Sequence, residues 1–128
     1  MNFKKNDKII IDIIIFDKQQ QSKIVKCLID TGADITFISE NIFQYLKIKS
    51  TNTGTMTTGN NISNSIKMTN INISILNHSK NIYVEVGIMP NKRNFDVLLG
   101  MDILSHCNID LLTSDNGFIF NIELPLCK

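Results

Sequence analysis

Several marks of common protein classes are missing from this 128-residue sequence. Alanine occurs once, at Ala33, whereas isoleucine and asparagine abound. With few good helix formers and many β-branched side chains, the chain is biased toward strands. Proline occurs only at Pro90 and Pro125, and no low-complexity linker or internal repeat interrupts the sequence. One domain spanning 1–128 is therefore expected. A domain of this length buries roughly two thirds of its unfolded surface, so it needs no disulfide or metal staple. Charge of one sign is also lacking: 13 Lys and Arg stand against 12 Asp and Glu, for a formal net charge of +1. Without a basic field to hold a phosphate backbone, no nucleic-acid partner is expected. Long hydrophobic runs are absent too. The best one, residues 9–16, is interrupted by Asp12, is too short to cross a membrane, and has no small-residue cleavage site after it. No membrane partner is expected. Cys27, Cys107 and Cys127 are odd in number and show no C-x-x-C spacing. With no secretory leader, they read as reduced thiols in a cytoplasmic protein.

The residues that are present pattern as strands. Residues 8–16 and 23–29 form a hairpin across the polar stretch 17–22, and 35–38 resumes as a strand. Ser39-Glu40 opens a short helix, serine as N-cap and an acid in the first turn, with Ile42, Phe43 and Leu46 on its apolar face. Residues 50–65 are polar and glycine-rich, with a tight turn expected at Gly59-Asn60 or Asn60-Asn61. Ile66 and Met68 share one parity and Ile71, Ile73 and Ile75 the other, which predicts a bulge or a strong bend near Thr69-Asn70. A turn at 77–81 precedes the alternating Ile82, Val84, Val86 and Ile88. Residues 95–99 form a buried strand ending at Gly100, 101–106 one or two helical turns, and 109–112 with 118–124 a last hairpin. The expected fold is mostly β with one or two short helices.

One segment carries chemistry. Cys27-Leu28-Ile29-Asp30-Thr31-Gly32-Ala33-Asp34 delivers an aspartate from a buried strand into a tight turn. Glycine there permits close backbone approach and unusual dihedrals, and turn N–H groups can hold a carboxylate ionised. Taken alone, Asp-Thr-Gly also fits an ordinary turn after a strand. A second segment shifts the balance. Val97-Leu98-Leu99-Gly100-Met101-Asp102-Ile103-Leu104 is an apolar strand, a glycine and a short helix, and a Gly/Thr-rich hairpin suited to closing over a cleft lies between the two segments.

In this order of motifs the chain resembles the retropepsin-type aspartic proteases, the single-domain family of retroviral proteases and their cellular and bacterial relatives. The resemblance covers a core of about residues 8–124, with a flap at about 54–66. It implies an acid-protease barrel active as a two-fold homodimer on a polypeptide substrate, with no cofactor and no metal. Asp30 matches the catalytic aspartate, and Thr31 the threonine whose hydroxyl ties the two active-site loops together across the dimer. Gly32 matches the glycine that lets the loop approach the carboxylate. Ala33, Asp34, Gly59 near the flap tip, and Leu98 match substrate-binding positions. Retroviral members commonly place an arginine after the Leu-Leu-Gly glycine, paired with the equivalent of Asp34; here that position is Met101. Asp102 instead resembles the Gly-x-Asp-x-Leu form of cellular and bacterial members, with a structural role at the helix start.

Peptide hydrolysis by this chemistry needs two aspartates, one to activate water and one to supply a proton. The sequence has one Asp-Thr-Gly, and Asp96 and Asp110 lack the turn residues, so a homodimer must supply the second carboxylate. Ile35, Phe37, Val97, Leu98 and Met56 are expected to make pockets near the site apolar. The bland readings of other residues prevail: His106 beside Cys107 lacks a ligand cluster, Cys27 is a core residue, His78 lies in a turn, and Lys92-Arg93 is a solvated loop. Two other functions compete with an endopeptidase. One is a dimerisation or peptide-binding module that kept the fold and lost turnover, and the other a monomeric β-barrel in which Asp-Thr-Gly is coincidental.

Overall fold

The computed structural model describes residues 1–48, 52–57, 63–75 and 81–123. The run of isoleucines near the N-terminus sets the architecture. In β2 (Ile10–Phe16), Ile11, Ile13 and Ile15 are buried and alternate with half-buried residues, as a strand with one face on a core requires. β2 forms a full antiparallel hairpin with β3 (Ser22–Ile29), from Ile10 opposite Leu28 to Phe16 opposite Ser22. The chain then adds β4 (Phe37–Ser39), α1 (Glu40–Leu46), β5 (Asn52–Thr57), β6 (Ser63–Ile75), β7 (Ile82–Met89), β8 (Val97–Leu99) and α2 (Met101–Leu104). Strand order in this sheet is β2-β3-β8-β4-β7-β6-β5, and a further pairing of β6 with β2 closes it into a barrel. A second sheet, in the order β1-β10-β9, joins β1 (Asn2–Lys4), β10 (Gly117–Glu123) and β9 (Asn108–Ser114). Phe120 and Ile122 from this sheet enter the same core as the barrel isoleucines, so the two sheets make one small, mostly β domain.

α1 begins as its sequence predicts. The Ser39 hydroxyl oxygen accepts the Ile42 N–H at 3.3 Å, and Ile42 and Leu46 are buried. Lys47 ends the helix in the left-handed region (φ 55°), its N–H donating to the Gln44 carbonyl at 3.1 Å.

The expected bulge in β6 does not exist. From Met68 opposite Gly87 to Ile73 opposite Ile82, every residue is paired in unbroken register. The parity switch instead marks a change of neighbour. Along one edge β6 pairs first with β5, from Ser63 to Met68, and then with β2, from Asn72 to Ile75. Ile71, Ile73 and Ile75 face the barrel core, whereas Met68 packs on the other face, over Gly54. Residues 63–67 of β6 have β5 beside them but no β7 partner, so the β5–β6 hairpin extends past the barrel wall. Its tip, including the turn expected at Gly59-Asn60, lies outside the described residues, as do His78 and Cys127. β1 is an addition to the sequence reading. Its lysine and asparagine concealed a three-residue edge strand, anchored where Phe3 stacks on Phe118 at 5.2 Å between ring centroids.

Candidate active site

β3 and β8 run parallel, with Cys27, Leu28 and Ile29 opposite Val97, Leu98 and Leu99. Parallel neighbours are unusual in so small a β domain, and they bring Asp30 and Gly100, distant in sequence, to one end of the sheet. The Asp30 N–H extends the ladder by donating to the Leu99 carbonyl at 3.0 Å. The chain then turns sharply, the Ala33 N–H donating to the Asp30 carbonyl at 3.2 Å. Inside the turn, Asp30 Oδ1 accepts the Gly32 N–H at 2.9 Å, and the residue stays half-buried, open to solvent on one side.

Gly32 serves close approach and not unusual dihedrals. Among the described residues no glycine has a positive φ, but a Cβ at Gly32 would sit 3.2 Å from Asp30 Oδ1, inside ordinary contact. Thr31, Gly32 and Asp34 are exposed and Ala33 is half-buried. Among the described residues Asp34 makes no ion pair, and Met101 stands where the resemblance implies an arginine partner.

The loop is held from beneath. The Ala33 carbonyl accepts the Met101 N–H at 2.7 Å, and the Asp34 carbonyl the Asp102 N–H at 3.1 Å. A side-chain knot sits behind them. The fully buried Thr36 donates its hydroxyl to Asp102 Oδ1 at 2.8 Å and its N–H to Oδ2 at 3.1 Å. The same hydroxyl oxygen accepts the Gly100 N–H at 3.0 Å, and Asp102 Oδ1 also accepts the Ile103 N–H at 2.9 Å. Gly100 is obligatory here, because a Cβ would collide with the Ile35 backbone and lie 2.9 Å from the Ala33 carbonyl oxygen. Asp102 therefore has the structural role expected of it. Thr36 escaped the sequence reading, because a lone threonine in a strand carries no signal of a partner 66 residues away.

An apolar row leads away from Asp30. Leu28 is opposite Leu98, Leu98 opposite Phe37, and Phe37 opposite Gly87, so their side chains share one face of the sheet. Leu28, Leu98 and Phe37 are all half-buried. The Phe37 ring fills the space above Gly87, its Cε1 2.6 Å from where a Cβ would be, with Ile66 Cδ1 3.3 Å from the same point. Val97, expected in this lining, is fully buried and belongs to the opposite, core face with Cys27. Strand alternation excludes it from any pocket that contains Leu98. Leu28 and Gly87 join the row unannounced, although a glycine in an otherwise alternating strand is a signal of close packing.

Among the described residues no cluster of His, Cys, Asp and Glu could hold a metal ion, and no helix is long and apolar enough to cross a membrane. Cys27 and Cys107 are free thiols.

A β-barrel with an Asp-Thr-Gly turn clamped between parallel strands defines a retropepsin-like fold. Comparison with known proteins agrees. The family described as "gag-polyprotein putative aspartyl protease" matches residues 18–106, and the chain belongs to this family. Among solved structures, EIAV protease complexed with the inhibitor HBY-793 superposes with a TM-score of 0.60 at 17% identity, covering 82% of this chain and 92% of that one. At that identity the likeness concerns the fold. No curated protein sequence matches.

Proposed function

We propose that the chain is an aspartic endopeptidase whose active site is completed by a second copy of itself. One observation carries this reading: a half-open Asp30 carboxylate fixed by the Gly32 N–H at 2.9 Å, in a loop that the described residues brace but do not cover. In the homodimer the two Asp30 carboxylates meet on the two-fold axis and share one proton. One acts as general base on a water, and the other protonates the peptide carbonyl. The substrate lies extended between the cleft floor and the flaps, which the β5–β6 hairpins around residues 54–66 provide; Gly59, the flap residue matched to substrate binding, lies outside the described residues. Thr31 bonds across the axis. The backbone of Gly32 and Ala33 and the carboxylate of Asp34 meet the substrate main chain, and Leu98, in its row with Leu28 and Phe37, takes an apolar side chain. No cofactor takes part, and the free thiols fit work in a reducing cytoplasm.

The test is peptide-library cleavage by wild type and Asp30→Asn at several pH values. The expected result is cleavage by wild type alone, with a bell-shaped pH profile, and a variant that stays folded and dimeric. Equal turnover by both proteins would overturn the reading.

A further inference from the structure

On the edge of β6 that faces β5 and β2, one main-chain position is left over. The Gly87 N–H donates to the Thr36 carbonyl at 2.9 Å, so Gly87 turns its main-chain groups toward β4 and away from Met68, its partner on β6. N–H and C=O groups switch edge with each residue of a strand, so Met68, Asn70 and Asn72 all point theirs to the opposite edge. There Met68 meets Asn52, the first residue of β5, and Asn72 meets Phe16, the last of β2. Asn70 lies between them, and no strand among the described residues pairs with it on this edge. A cleft of about 310 Å³ opens at the gap, lined by Asn70 and by Asn52 and Phe16 at its two ends.

The structure assigns to this cleft a binding site for a small, neutral, flat ring that carries an N–H beside a C=O, the lactam edge of uracil- and hypoxanthine-type heterocycles. Its lining selects that chemistry. Asn70 offers an N–H and a C=O side by side, and the complement is the same pair reversed. The gap is a single residue long and closed at both ends, so a compact group fits where an extended strand does not. The floor is apolar: Leu46 and Ile71 line the cleft and are each 2% exposed. Charge cancels, since Asp17 and Lys18 bring opposite signs and Asp17 Oδ1 already accepts the Gln19 and Gln21 N–H groups at 2.9 Å.

The walls suit a flat ring. Phe16 and Tyr83 both line the cleft, and both stand opposite Asn72 from the strands on either side of β6, so the three side chains share one face. Tyr83 is 68% exposed, and among the described residues its ring makes no stacking or cation contact. A flat ligand gives these rings a face to pack against. The Asn52 and Asn72 side chains, also in the lining, supply amide donors and acceptors for its remaining polar atoms. The site shares no lining residue with the Asp30 loop, so it goes beyond the protease reading and does not depend on it. It lies at the root of the β5–β6 hairpin, where an occupant bridges the start of β5 to the end of β2.

Titration of the isotope-labelled full chain with uracil and with hypoxanthine, followed by amide chemical shifts, tests this. Uracil methylated on both ring nitrogens is the control, because it keeps the ring and loses the N–H. Saturable shifts are expected at the Met68, Asn70 and Asn72 amides, with a dissociation constant of about 1 mM or tighter for a ligand this small. The methylated ring should bind at least about tenfold more weakly. Tyr83→Ala, which removes an exposed side chain, should weaken uracil binding about fivefold. Asn70→Pro removes the cleft-facing N–H, which the β7 ladder does not use, and should abolish binding while keeping the wild-type circular dichroism. If that variant does not fold, Tyr83→Ala and the methylated ring decide the matter. Wild-type amides that stay unshifted at Met68, Asn70 and Asn72 up to the solubility of both ligands overturn the site. Equal binding of uracil and its methylated form overturns the lactam edge, and unchanged affinity in Tyr83→Ala overturns the stacking wall.

Discussion

Two regions on either side of α2 are built on opposite terms. Ahead of it, Thr36 and Gly100 are buried, and each polar group of the knot has a partner within the chain. After it, β9 is exposed along its length with apolar side chains in water. A buried polar group left unpartnered costs about 1–3 kcal/mol, so the Thr36–Asp102 knot must be completed during folding. An exposed apolar surface can wait for another molecule. Substitutions in the knot should therefore act on folding, at any protein concentration, whereas those on the exposed side should act on association and depend on concentration.

The largest effect is expected at Gly100. Gly100→Ala forces a Cβ into the Ile35 backbone, which cannot swing aside as a side chain tip would. The expected loss is about 3 kcal/mol of folding stability in urea denaturation, the upper part of the usual overpacking range. A stability within experimental error of wild type would show that the loop is not clamped against α2.

Thr36→Val should follow, at about 2 kcal/mol. It keeps the shape but removes the acceptor of the Gly100 N–H and one donor to Asp102, leaving that carboxylate the N–H groups of Thr36 and Ile103. Thr36→Ser retains the hydroxyl and should recover most of the loss. If serine and valine destabilise equally, packing and not hydrogen bonding holds the corner.

Thr31→Ala probes the exposed side of the same loop. Thr31 is open to solvent in the single chain, so subunit stability should be unchanged. Should the hydroxyl bond across the two-fold axis, two bonds vanish per dimer. At about 1 kcal/mol each, dimer affinity falls roughly thirtyfold. An unaltered dissociation constant would place Thr31 outside the interface.

Legibility in the sequence follows the same division. Local chemistry was readable: the Ser39 cap, the β2–β3 hairpin, the last hairpin around Asp115-Asn116, and the Asp30 turn each depend on residues close together in the chain. Pairings between distant segments were not. Strand alternation gives parity but not partners, so the two parities of β6 suggested a bulge where the strand simply changes neighbours. Val97 and Leu98 are both apolar and adjacent in one strand, so they face opposite ways, but only the register with β4 and the burial of Val97 show which of them lies on the Phe37 face. The exposure of Leu111 and Leu112 is likewise invisible in the sequence, because an apolar residue in a strand reads as core until the neighbours of that strand are known.

The smallest effect concerns the two described cysteines, and it separates carboxylate from thiol chemistry. Burial pushes the Cys107 thiol up from 9.0 to about 11, and its Sγ donates to the Ile103 carbonyl at 3.3 Å. Cys27, buried in the core, is pushed further in the same direction by desolvation. The thiolate is the reactive form, and a rise of this size leaves about a hundredfold less of it near neutral pH than an unshifted thiol would have. Alkylation of both cysteines with iodoacetamide at pH 7.5 should therefore be slow in the folded protein and fast after unfolding in urea. The sign for stability follows from linkage. Between the unfolded value of 9.0 and the folded value of about 11, the unfolded chain releases its Cys107 proton first, so folding stability falls as pH rises through that window. Cys107→Ser should make that fall shallower without abolishing it, since Cys27 contributes in the same sense. Rapid loss of peptidase activity on mild alkylation, with Cys27 or Cys107 as the labelled residue, would contradict both the raised thiols and a reaction carried by Asp30.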